Sequence, residues 1–236
     1  MASKHWLVVG ISGVTCAGKT TLAKRLLASL PTLAVYLGQD EYIYSDEFPG
    51  HLLAPPALGG LNRDSLRSID MDRMVEDIHV ILSTTSSRPG SSSGVSVPRE
   101  WERVNAAALA VGKRPAPSLR ERSAYMPVLL LDGYLLFNHA EIPPLCDLLY
   151  FITLPKDECW KRRKKRVYAS QCQDVKLYFE LCVWPKYKEH FQQMIESVSN
   201  ICFKNGCTDP DTLYLSVFQD IMQELEINKQ YRSFHH

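Results

Sequence analysis

The stretch Gly13-Val14-Thr15-Cys16-Ala17-Gly18-Lys19-Thr20 fits the phosphate-binding pattern G-x-x-x-x-G-K-[ST]. Residues 6–11, just before it, are apolar and rich in valine and isoleucine, which predicts a buried strand. After it, Leu22, Leu26 and Leu27 share one face of a predicted helix. A chance match in a glycine-rich turn would not explain why a strand and a helix flank the motif in the required order. The sequence therefore predicts a polyphosphate site.

The residue types of this loop suit an anion. Gly13 and Gly18 let the main chain wrap closely around a polyphosphate, and the N–H groups at a helix start face negative charge. Lys19 can reach the β- and γ-phosphates, and the Thr20 hydroxyl can hold Mg²⁺. Cys16 is either a small filler or a reactive thiol, and we favour the filler.

Length and composition favour one α/β domain. The chain has 236 residues, of which 45% are hydrophobic, and this is enough for a sizeable core. The net charge of +1 gives no general attraction to nucleic acid or to a membrane surface. No apolar run approaches the roughly 18 residues of a membrane span, so none is expected.

The cellular compartment is inferred from the N-terminus and the cysteines. Residues 1–6 run straight into the first predicted strand, without the apolar segment of a signal peptide. The seven cysteines are odd in number and include no C-x-x-C pair, which favours a reducing compartment and argues against structural zinc. We expect a cytoplasmic protein whose partners are small molecules, while the sequence leaves the oligomeric state open.

A second strand is predicted over residues 33–37, and it ends at Gly38-Gln39-Asp40-Glu41. Open α/β sheets bind their ligands at the carboxyl ends of the strands. A carboxylate at this point lies either in a solvated turn or in a ligand-binding site. Because a phosphate loop is predicted at the same edge of the sheet, we favour a functional role for Asp40. Residues 42–60 are rich in aromatic residues, proline and glycine, which predicts an irregular segment facing the substrate.

Asp64 has two interpretations. A helix is predicted from about Asn62 or Asp64, because apolar residues recur at helical spacing from Leu66 to Leu82. Asp64 is therefore either the N-cap of that helix or a carboxylate that binds a ligand. The residues alone do not choose between the two.

Residues 86–124 interrupt the pattern. Residues 86–94 are almost all serine, glycine and proline, and Pro98, Pro115 and Pro117 add further breaks. We interpret the segment as a largely irregular surface insertion in a single domain of residues 1–236, not as a second domain.

The next strand carries a second carboxylate. Val128-Leu129-Leu130-Leu131-Asp132 predicts a buried parallel strand ending in an aspartate like that of a Walker B motif. A buried carboxylate needs a partner, and Mg²⁺ at the phosphates would be one, whereas an ordinary turn aspartate is the alternative. Residues 148–152 and 201–203 predict two more strands, with helices over 183–198 and from Asp209 onward.

A basic run follows Pro155, which opens a short helix. Residues 161–166 are all lysine or arginine, a pattern typical of a solvated face or a nucleic-acid patch. Arg162 and Arg166 stand four residues apart, and Arg163 and Arg166 three apart, so their guanidinium groups can converge on one ligand. Phosphoryl transfer needs cations on the transferred group, and we therefore favour a lid helix at about 160–180 over a nucleic-acid patch.

These motifs together resemble the nicotinamide riboside kinases, a family within the uridine-kinase-like group of P-loop kinases. The resemblance spans nearly the whole chain outside 86–124. Its most specific pieces are Gly133-Tyr134-Leu135-Leu136-Phe137-Asn138 and Arg166-Val167-Tyr168, with Val183-Trp184-Pro185 further along. It implies a P-loop nucleoside-kinase fold, with a parallel sheet of about five strands, flanking helices and a short basic lid.

The resemblance also implies site residues. Asp40 matches the catalytic base and Lys19 the phosphate-loop lysine. Metal ligands would be Thr20, Asp40 and Asp132, the last standing where the family usually carries Glu. Residues implied to contact ATP are Gly13, Val14, Thr15, Cys16, Ala17, Gly18, Lys19, Thr20, Thr21, Arg162, Arg166, Val167 and Tyr168. Residues implied to contact the substrate are Asp40, Glu41, Tyr42, Ile43, Arg63, Asp64, Arg163, Tyr168 and Ala169, with Asp64 binding the ribose hydroxyls.

The implied reaction is the Mg²⁺- and ATP-dependent phosphorylation of nicotinamide riboside to nicotinamide mononucleotide, a step of NAD salvage. Arg63 departs from the family, because it stands where an aromatic residue stacks on the nicotinamide ring. A uridine- or cytidine-type kinase is the nearest rival, and a nucleotide-binding interaction protein with weak turnover is a more distant one. A dinucleotide oxidoreductase is unsupported, because no G-x-G-x-x-G lies around Gly10 to Gly18.

Overall fold

The computed structural model describes residues 5–83, 125–166 and 176–234. Its centre is a parallel sheet of five strands in the order β2-β5-β1-β6-β7. The strands are β1 (Leu7–Gly13), β2 (Ala34–Gly38), β5 (Val128–Asp132), β6 (Leu148–Thr153) and β7 (Ile201–Asn205). A small antiparallel hairpin joins β3 (Leu52–Leu53) to β4 (Leu61–Asn62). The predicted five-stranded parallel sheet is therefore confirmed.

Helices cover both faces of this sheet. They are α1 (Lys19–Ser29), α2 (Met71–Ser83), α3 (Lys156–Arg163), α4 (Trp184–Ser197) and α5 (Pro210–Phe234). A helical turn, Lys176–Tyr178, and a π-helical turn, Phe179–Val183, run directly into α4. None of the helices in these described ranges is long and apolar enough to cross a membrane.

Alternate residues of each strand enter different cores, as the two-residue period of a strand dictates. Val9 and Leu130 belong to the core beneath α1 and α5, which includes Leu26 and Ile221. Their neighbours Val8, Leu129 and Leu131 belong to the opposite core, with Met74 and Ile78 of α2 and Met194 of α4. Burial on both faces explains why these strands are continuous apolar runs in the sequence.

The order of the strands places the candidate site. Asp132, the last residue of β5, is paired with Ile11 of β1 on one side and with Gly38 of β2 on the other. The phosphate loop follows β1, and Asp40 follows β2 in a 3-10 turn, Gln39–Tyr42. The predicted loop, base and Walker-B-like carboxylate therefore leave the sheet at adjacent carboxyl ends.

The prediction of a helix starting near Asn62 or Asp64 is wrong. Asn62 lies in the β3–β4 hairpin, and α2 begins only at Met71. The side chain of Asp70 accepts a hydrogen bond from the Arg73 N–H at 3.1 Å and so serves as the cap. The apolar spacing began before α2 because Leu66, in the 3-10 turn Leu66–Ser68, and Ile69 just after that turn also face the core.

One other boundary differs from the sequence-based prediction. Helical structure is already present at Lys176, where the described residues resume, and not only from Val183, and it includes a π-helical turn, Phe179–Val183, shortly before Pro185. Proline lacks the N–H that would continue the helical ladder, so the turn before it is free to change its hydrogen-bonding pattern. The predicted insertion at 86–124, and residues 167–175 of the predicted lid, lie outside the described residues.

Candidate active site

The phosphate loop has a main chain that only certain residues tolerate. Gly13 has φ of 139°, and a Cβ there would lie 2.2 Å from the carbonyl oxygen of Ile152. Gly18 has space around it but a φ of 91°, so its conformation and not its surroundings demands glycine. The loop begins where the Val14 N–H donates to the same Ile152 oxygen at 3.1 Å. The glycine spacing of the motif is thus explained by geometry.

Lys19 is buried at the first turn of α1, and its Nζ donates to the Val14 carbonyl at 2.9 Å. Burial lowers the pKa of Lys19, while the carboxylates of Asp132 and Asp40 act in the opposite direction. The nearby Arg166 lowers it further by charge repulsion. A buried ammonium in these surroundings is stabilised by an additional anion, which a bound polyphosphate would supply.

Asp132 is only 4% exposed at the end of β5. Its Oδ2 accepts a hydrogen bond from the Tyr36 hydroxyl at 2.9 Å, and its buried Oδ1 makes no hydrogen bond within the described ranges. Burial and Asp132 together raise the pKa of Tyr36, so the phenol remains a donor. The carboxylate is thereby held in place with one oxygen available.

This donor set fits Mg²⁺. The described residues contain no group of three or more His, Cys, Asp or Glu side chains that could hold a metal ion by itself. Mg²⁺ commonly uses one or two protein oxygens and completes its shell with phosphate oxygens and water. Asp132 Oδ1 and the Thr20 hydroxyl are oxygens of this kind at the edge of the phosphate loop, with Asp40 facing the same cleft.

A cleft of about 910 Å³ joins these groups to the predicted substrate residues. Most of the predicted site residues that the structure describes line it, and the apolar Ile43, Leu58 and Leu61 form part of its wall. The predicted residues lining the cleft are Thr15, Cys16, Gly18, Lys19, Thr20, Thr21, Asp40, Ile43, Arg63, Asp64, Asp132, Arg162, Arg163 and Arg166.

Two tyrosines hold the Arg63–Asp64 dipeptide. The Tyr134 hydroxyl donates to the Arg63 carbonyl at 3.1 Å. The Tyr178 hydroxyl accepts from the Arg63 N–H at 3.1 Å and donates to Asp64 Oδ2 at 3.1 Å. Tyr134 follows β5 and Tyr178 precedes α4, so distant parts of the chain fix this carboxylate in the cleft.

The charge of Arg63 is balanced by Asp46. Its Nε donates to Asp46 Oδ1 at 3.0 Å and its Nη2 donates to Oδ2 at 2.6 Å, forming a bidentate pair. About half of the Arg63 side chain is exposed, at 51%. The guanidinium therefore sits at the mouth of the cleft with its charge already neutralised.

The three predicted arginines line the cleft, Arg162 and Arg163 from the basic helix α3 and Arg166 from the turn that follows it. Arg163 is 9% exposed, and its Nη1 donates to the Thr15 hydroxyl of the phosphate loop at 3.1 Å. Arg162 is paired with Glu158 at 2.8 Å, one helical turn earlier. Val167, Tyr168 and Ala169, the remaining predicted lid residues, lie outside the described residues.

Five other predicted site residues do not line this cleft: Gly13, Val14, Ala17, Glu41 and Tyr42. Tyr42 is buried in the core beneath α2, and its hydroxyl donates to Asp77 Oδ2 at 2.6 Å. Glu41 is exposed beside the cleft but does not line it. Val14 and Ala17 are buried under the phosphate loop. The Tyr42 ring completes the core and does not face the cleft, so a contact between Tyr42 and the substrate stays a prediction.

Several groups that shape the site had no signal of their own in the sequence. Gln39 is fully buried, and its Oε1 accepts from the Tyr134 and Leu135 N–H groups at 3.0 Å each. This contact ties the end of β2 to the turn after β5. Tyr36, Tyr134 and Tyr178 act through their hydroxyls on residues far away in sequence. No site role was predicted for any of these three tyrosines, although Tyr134 belongs to the Gly133–Asn138 piece of the resemblance.

Comparison with known proteins gives close matches over almost the whole chain. It is 32% identical over 219 residues to nicotinamide riboside kinase 1 of Rattus norvegicus, covering 93% of this chain and 95% of that protein. The human nicotinamide riboside kinase 1 is 30% identical over 222 residues, with 94% and 95% covered. The chain belongs to the nicotinamide riboside kinase family.

More distant matches extend to yeast. The nicotinamide riboside kinase of Saccharomyces cerevisiae is 26% identical over 201 residues, covering 82% of this chain and 81% of that protein. A solved structure of a possible uridine kinase from Bacillus stearothermophilus has a TM-score of 0.46 and 12% identity, covering 86% of this chain and 91% of that chain. No family model matches the chain.

Membership of the nicotinamide riboside kinase family gives context to Arg63. The resemblance places an aromatic stacking residue at this position, whereas this member has a guanidinium paired with Asp46. A free cation would repel the cationic pyridinium of nicotinamide riboside. The bidentate pair with Asp46 removes most of that repulsion and leaves the flat guanidinium as a surface on which a ring can lie.

Proposed function

We propose that this protein transfers the γ-phosphoryl group of ATP to the ribose 5′-hydroxyl of nicotinamide riboside, giving nicotinamide mononucleotide and ADP. One observation supports this most directly. A single cleft is lined by the phosphate loop, Asp40, Asp132 and Asp64, in a chain that is 32% identical to a nicotinamide riboside kinase. Polyphosphate binding, proton removal and ribose recognition can therefore take place side by side.

Asp40 is the proposed catalytic base. It is exposed to the cleft, just after the strand that neighbours Asp132, and it interacts electrostatically with Lys19. As the ribose O5′ attacks the γ-phosphorus, Asp40 takes its proton. The bond from that phosphorus to the β,γ-bridging oxygen breaks, and ADP leaves with the electron pair. General base catalysis of this kind contributes typically about 10²–10⁴ in rate.

Cations of the chain stabilise the charge on the transferred group. Lys19 lines the cleft and would bind the phosphates there, and Arg163 at the end of α3 and Arg166 just after it line the same cleft. Thr20, Asp132 and Asp40 would hold Mg²⁺, which neutralises charge on the β- and γ-phosphates when bound. Closure of the basic segment over the cleft would exclude water, which otherwise competes as the acceptor.

Asp64 is proposed to bind the ribose diol. A carboxylate accepts hydrogen bonds from two hydroxyls at once, and Tyr178 leaves it capacity to do so. A buried polar group that loses its hydrogen-bond partner costs about 1–3 kcal/mol of binding free energy. Ribosides should therefore exceed 2′-deoxyribosides in kcat/KM by roughly 10- to 100-fold.

A uridine- or cytidine-type kinase is the second candidate, and Arg63 is the observation that favours it. A guanidinium can stack on any flat base and donate hydrogen bonds to a pyrimidine carbonyl, whereas the family aromatic is selective for the pyridinium. We rank nicotinamide riboside first because Asp46 already neutralises the Arg63 charge. Nicotinic acid riboside belongs to the same test, and the choice between ATP and GTP is decided by repeating that assay with GTP as the donor.

The deciding experiment is an ADP-release assay with purified protein, Mg²⁺ and ATP across a nucleoside panel. The panel contains nicotinamide riboside, nicotinic acid riboside, uridine, cytidine and the 2′-deoxyribosides. Nicotinamide riboside is expected to give the highest kcat/KM, and Asp64→Ala should remove most of the ribose preference. Asp70→Ala, a nearby carboxylate that caps α2 outside the cleft, is the matched control. Uridine turned over tenfold better than nicotinamide riboside would overturn the assignment.

The cysteines bear on the cellular compartment of the protein. The described cysteines are all free thiols, as a reducing environment would maintain them. We therefore propose a cytoplasmic enzyme that acts on small molecules, and measurement of its distribution in fractionated cells is the direct test.

A further inference from the structure

The ion pair between Arg63 and Asp46 lies where the base of a nucleoside would sit if Asp64 binds its ribose. Arg63 lines the cleft beside Asp64, whereas Asp46 does not line it and reaches the site only through Arg63. The apolar Ile43 and Leu61 line the same cleft. A ring bound there would displace water from beside the guanidinium, which strengthens the effect of nearby charges on that ring.

Asp46 is held beside Arg63 by an anchored turn. The Phe48 N–H donates to the Ser45 carbonyl at 3.0 Å, and this hydrogen bond closes the turn that contains Asp46. The ring of His51, which is 9% exposed, donates through Nε2 to the same carbonyl at 2.8 Å. The main chain that carries the Asp46 carboxylate is therefore tied to a buried imidazole.

The main chain of Arg63 is also fixed, by the hydroxyls of Tyr134 and Tyr178. The side edge of the guanidinium is formed by Nε and Nη2, and both donate to Asp46. A carboxylate binds such an edge with two parallel hydrogen bonds. A carboxylate carried by a substrate would therefore have to compete with Asp46 for this edge.

The candidate pyridine substrates differ in charge at the base. Nicotinamide riboside has a cationic ring with an uncharged carboxamide, whereas nicotinic acid riboside has the same cationic ring with a carboxylate. An unpaired Arg63 would repel the ring and attract the carboxylate. Arg63 paired with Asp46 repels the ring much less, and a substrate carboxylate would meet the like charge of Asp46.

We propose that Asp46 is a positioning residue for Arg63 and makes the cleft select nicotinamide riboside over nicotinic acid riboside. Asp46 would do so by balancing the guanidinium charge and by occupying the edge that a substrate carboxylate would use. This assignment rests on the proposed function and deepens it, because it concerns the base end of the same site.

The test compares kcat/KM for the two pyridine ribosides in the ADP-release assay, and the wild type should prefer nicotinamide riboside. Asp46→Asn removes the charge at nearly constant size, and the ratio of the two kcat/KM values should shift toward nicotinic acid riboside. A shift of roughly 3- to 10-fold is expected for one unit charge about 6 Å away in partly solvated surroundings. Both side chains of the pair are more than half exposed, at 51% and 63%, so a larger shift is not expected.

A merely structural role of Asp46 would not move this ratio. Asp46→Glu keeps the charge and should keep most of the wild-type preference, and the KM for ATP should stay within about twofold in both variants. Glu47→Gln removes the same charge from the next residue, which is exposed and outside the cleft, and should leave the ratio unchanged. In an Arg63→Gln background, Asp46→Asn should no longer shift the ratio, because the charge that it balances is gone.

Three outcomes would overturn the role of Asp46 alone. They are an unchanged ratio in Asp46→Asn, an equal shift in Glu47→Gln, and a shift that persists in the Arg63→Gln background. A wild type that turns over neither pyridine riboside, or that prefers nicotinic acid riboside, would instead overturn the proposed function and this role with it.

Discussion

At the residue scale, Lys19 is a functional group whose buried charge lowers the stability of the folded protein. Its ammonium is buried, and its pKa is lowered because burial outweighs the attraction of Asp132 and Asp40. A lowered pKa means that the folded protein binds this proton less tightly than the unfolded chain does. Stability therefore increases as pH rises through the folded pKa toward the ordinary lysine value, and below that window the cost is constant.

Replacing Lys19 by methionine should consequently spare the free protein and abolish its response to nucleotide. Saturating Mg·ATP at about 100 times Kd should stabilise the wild type by about 2.7 kcal/mol, or roughly 5–10 °C in melting temperature. Lys19→Met should show little of this shift and no loss in its own melting temperature. Thermal denaturation with and without Mg·ATP measures both the shift and the melting temperature of the free variant. Replacement of the exposed Lys24 of the same helix, Lys24→Met, is the control. A normal ATP shift in Lys19→Met would contradict the assignment.

Asp40 gives the second residue-scale prediction. Asp40→Asn keeps the shape of the side chain but cannot accept the hydroxyl proton, so kcat should fall by about 10²–10⁴. The melting temperature should change little, because Asp40 is exposed to the cleft, and a change in the Kd for Mg·ATP would report its proposed role at Mg²⁺. Steady-state kinetics provide the measurement, and Glu47→Gln, an exposed carboxylate outside the cleft, is the matched control. Near-normal kcat in Asp40→Asn would remove it from the mechanism.

At the element scale, the site depends on contacts between segments that are distant in sequence. Gln39 connects the end of β2 to the turn after β5, and the same turn places Tyr134 against Arg63. Tyr178, from the helical turn before α4, holds both Arg63 and Asp64. The position of the proposed ribose carboxylate is thus set jointly by β5 and by the segment leading into α4.

Removal of the Tyr178 hydroxyl should show that this tyrosine positions Asp64. Tyr178→Phe deletes the hydrogen bonds to Arg63 and Asp64 but keeps the ring, so the riboside KM should rise by roughly 3- to 10-fold. The preference for ribosides over 2′-deoxyribosides should shrink, while the KM for ATP stays unchanged. Tyr214→Phe, which loses a hydroxyl contact with Ser29 far from the cleft, is the control. An unchanged ribose preference in Tyr178→Phe would show that Tyr178 does not position Asp64.

At the scale of the whole molecule, residues 86–124 lie between α2 and β5. Within the part of the chain that the structure describes, residues outside this segment form five strands, two cores and the cleft. We therefore expect that replacing residues 86–124 by a short glycine-serine linker leaves kcat/KM within about threefold. The melting temperature should change by only a few degrees, because loop-closure entropy depends weakly on length, at about 0.6 kcal/mol per doubling.

The measurement is activity and thermal denaturation of the shortened protein beside the full chain. A second version that scrambles the order of residues 86–124 at constant length separates composition from specific sequence. Loss of folding in the shortened protein, or loss of activity in the scrambled one, would show that the segment packs on the domain or contributes to the site.

The chain itself determined the fold class and the chemistry of the phosphates. The four strands β1, β2, β5 and β6 are apolar runs, and β7 begins with the apolar residues Ile201 to Phe203. The glycines and the lysine of the phosphate loop are recognisable from their fixed spacing, so hydrophobic pattern and motif were sufficient. Asp40 and Asp132 could be found in the same way, because a carboxylate directly after a buried strand lies at the ligand edge of a parallel sheet.

Only the tertiary structure decided which of the remaining polar residues act together. Asp64 is not a helix cap because Asp70 caps α2, and Tyr42 is a core residue because Asp77 satisfies its hydroxyl. Arg63 is neutralised by Asp46, and Tyr134 and Tyr178 converge on it from 71 and 115 residues away. Such contacts depend on how helices and strands pack and on which groups the hydroxyls bond to. Neither produces a periodic pattern in the sequence that could be recognised beforehand.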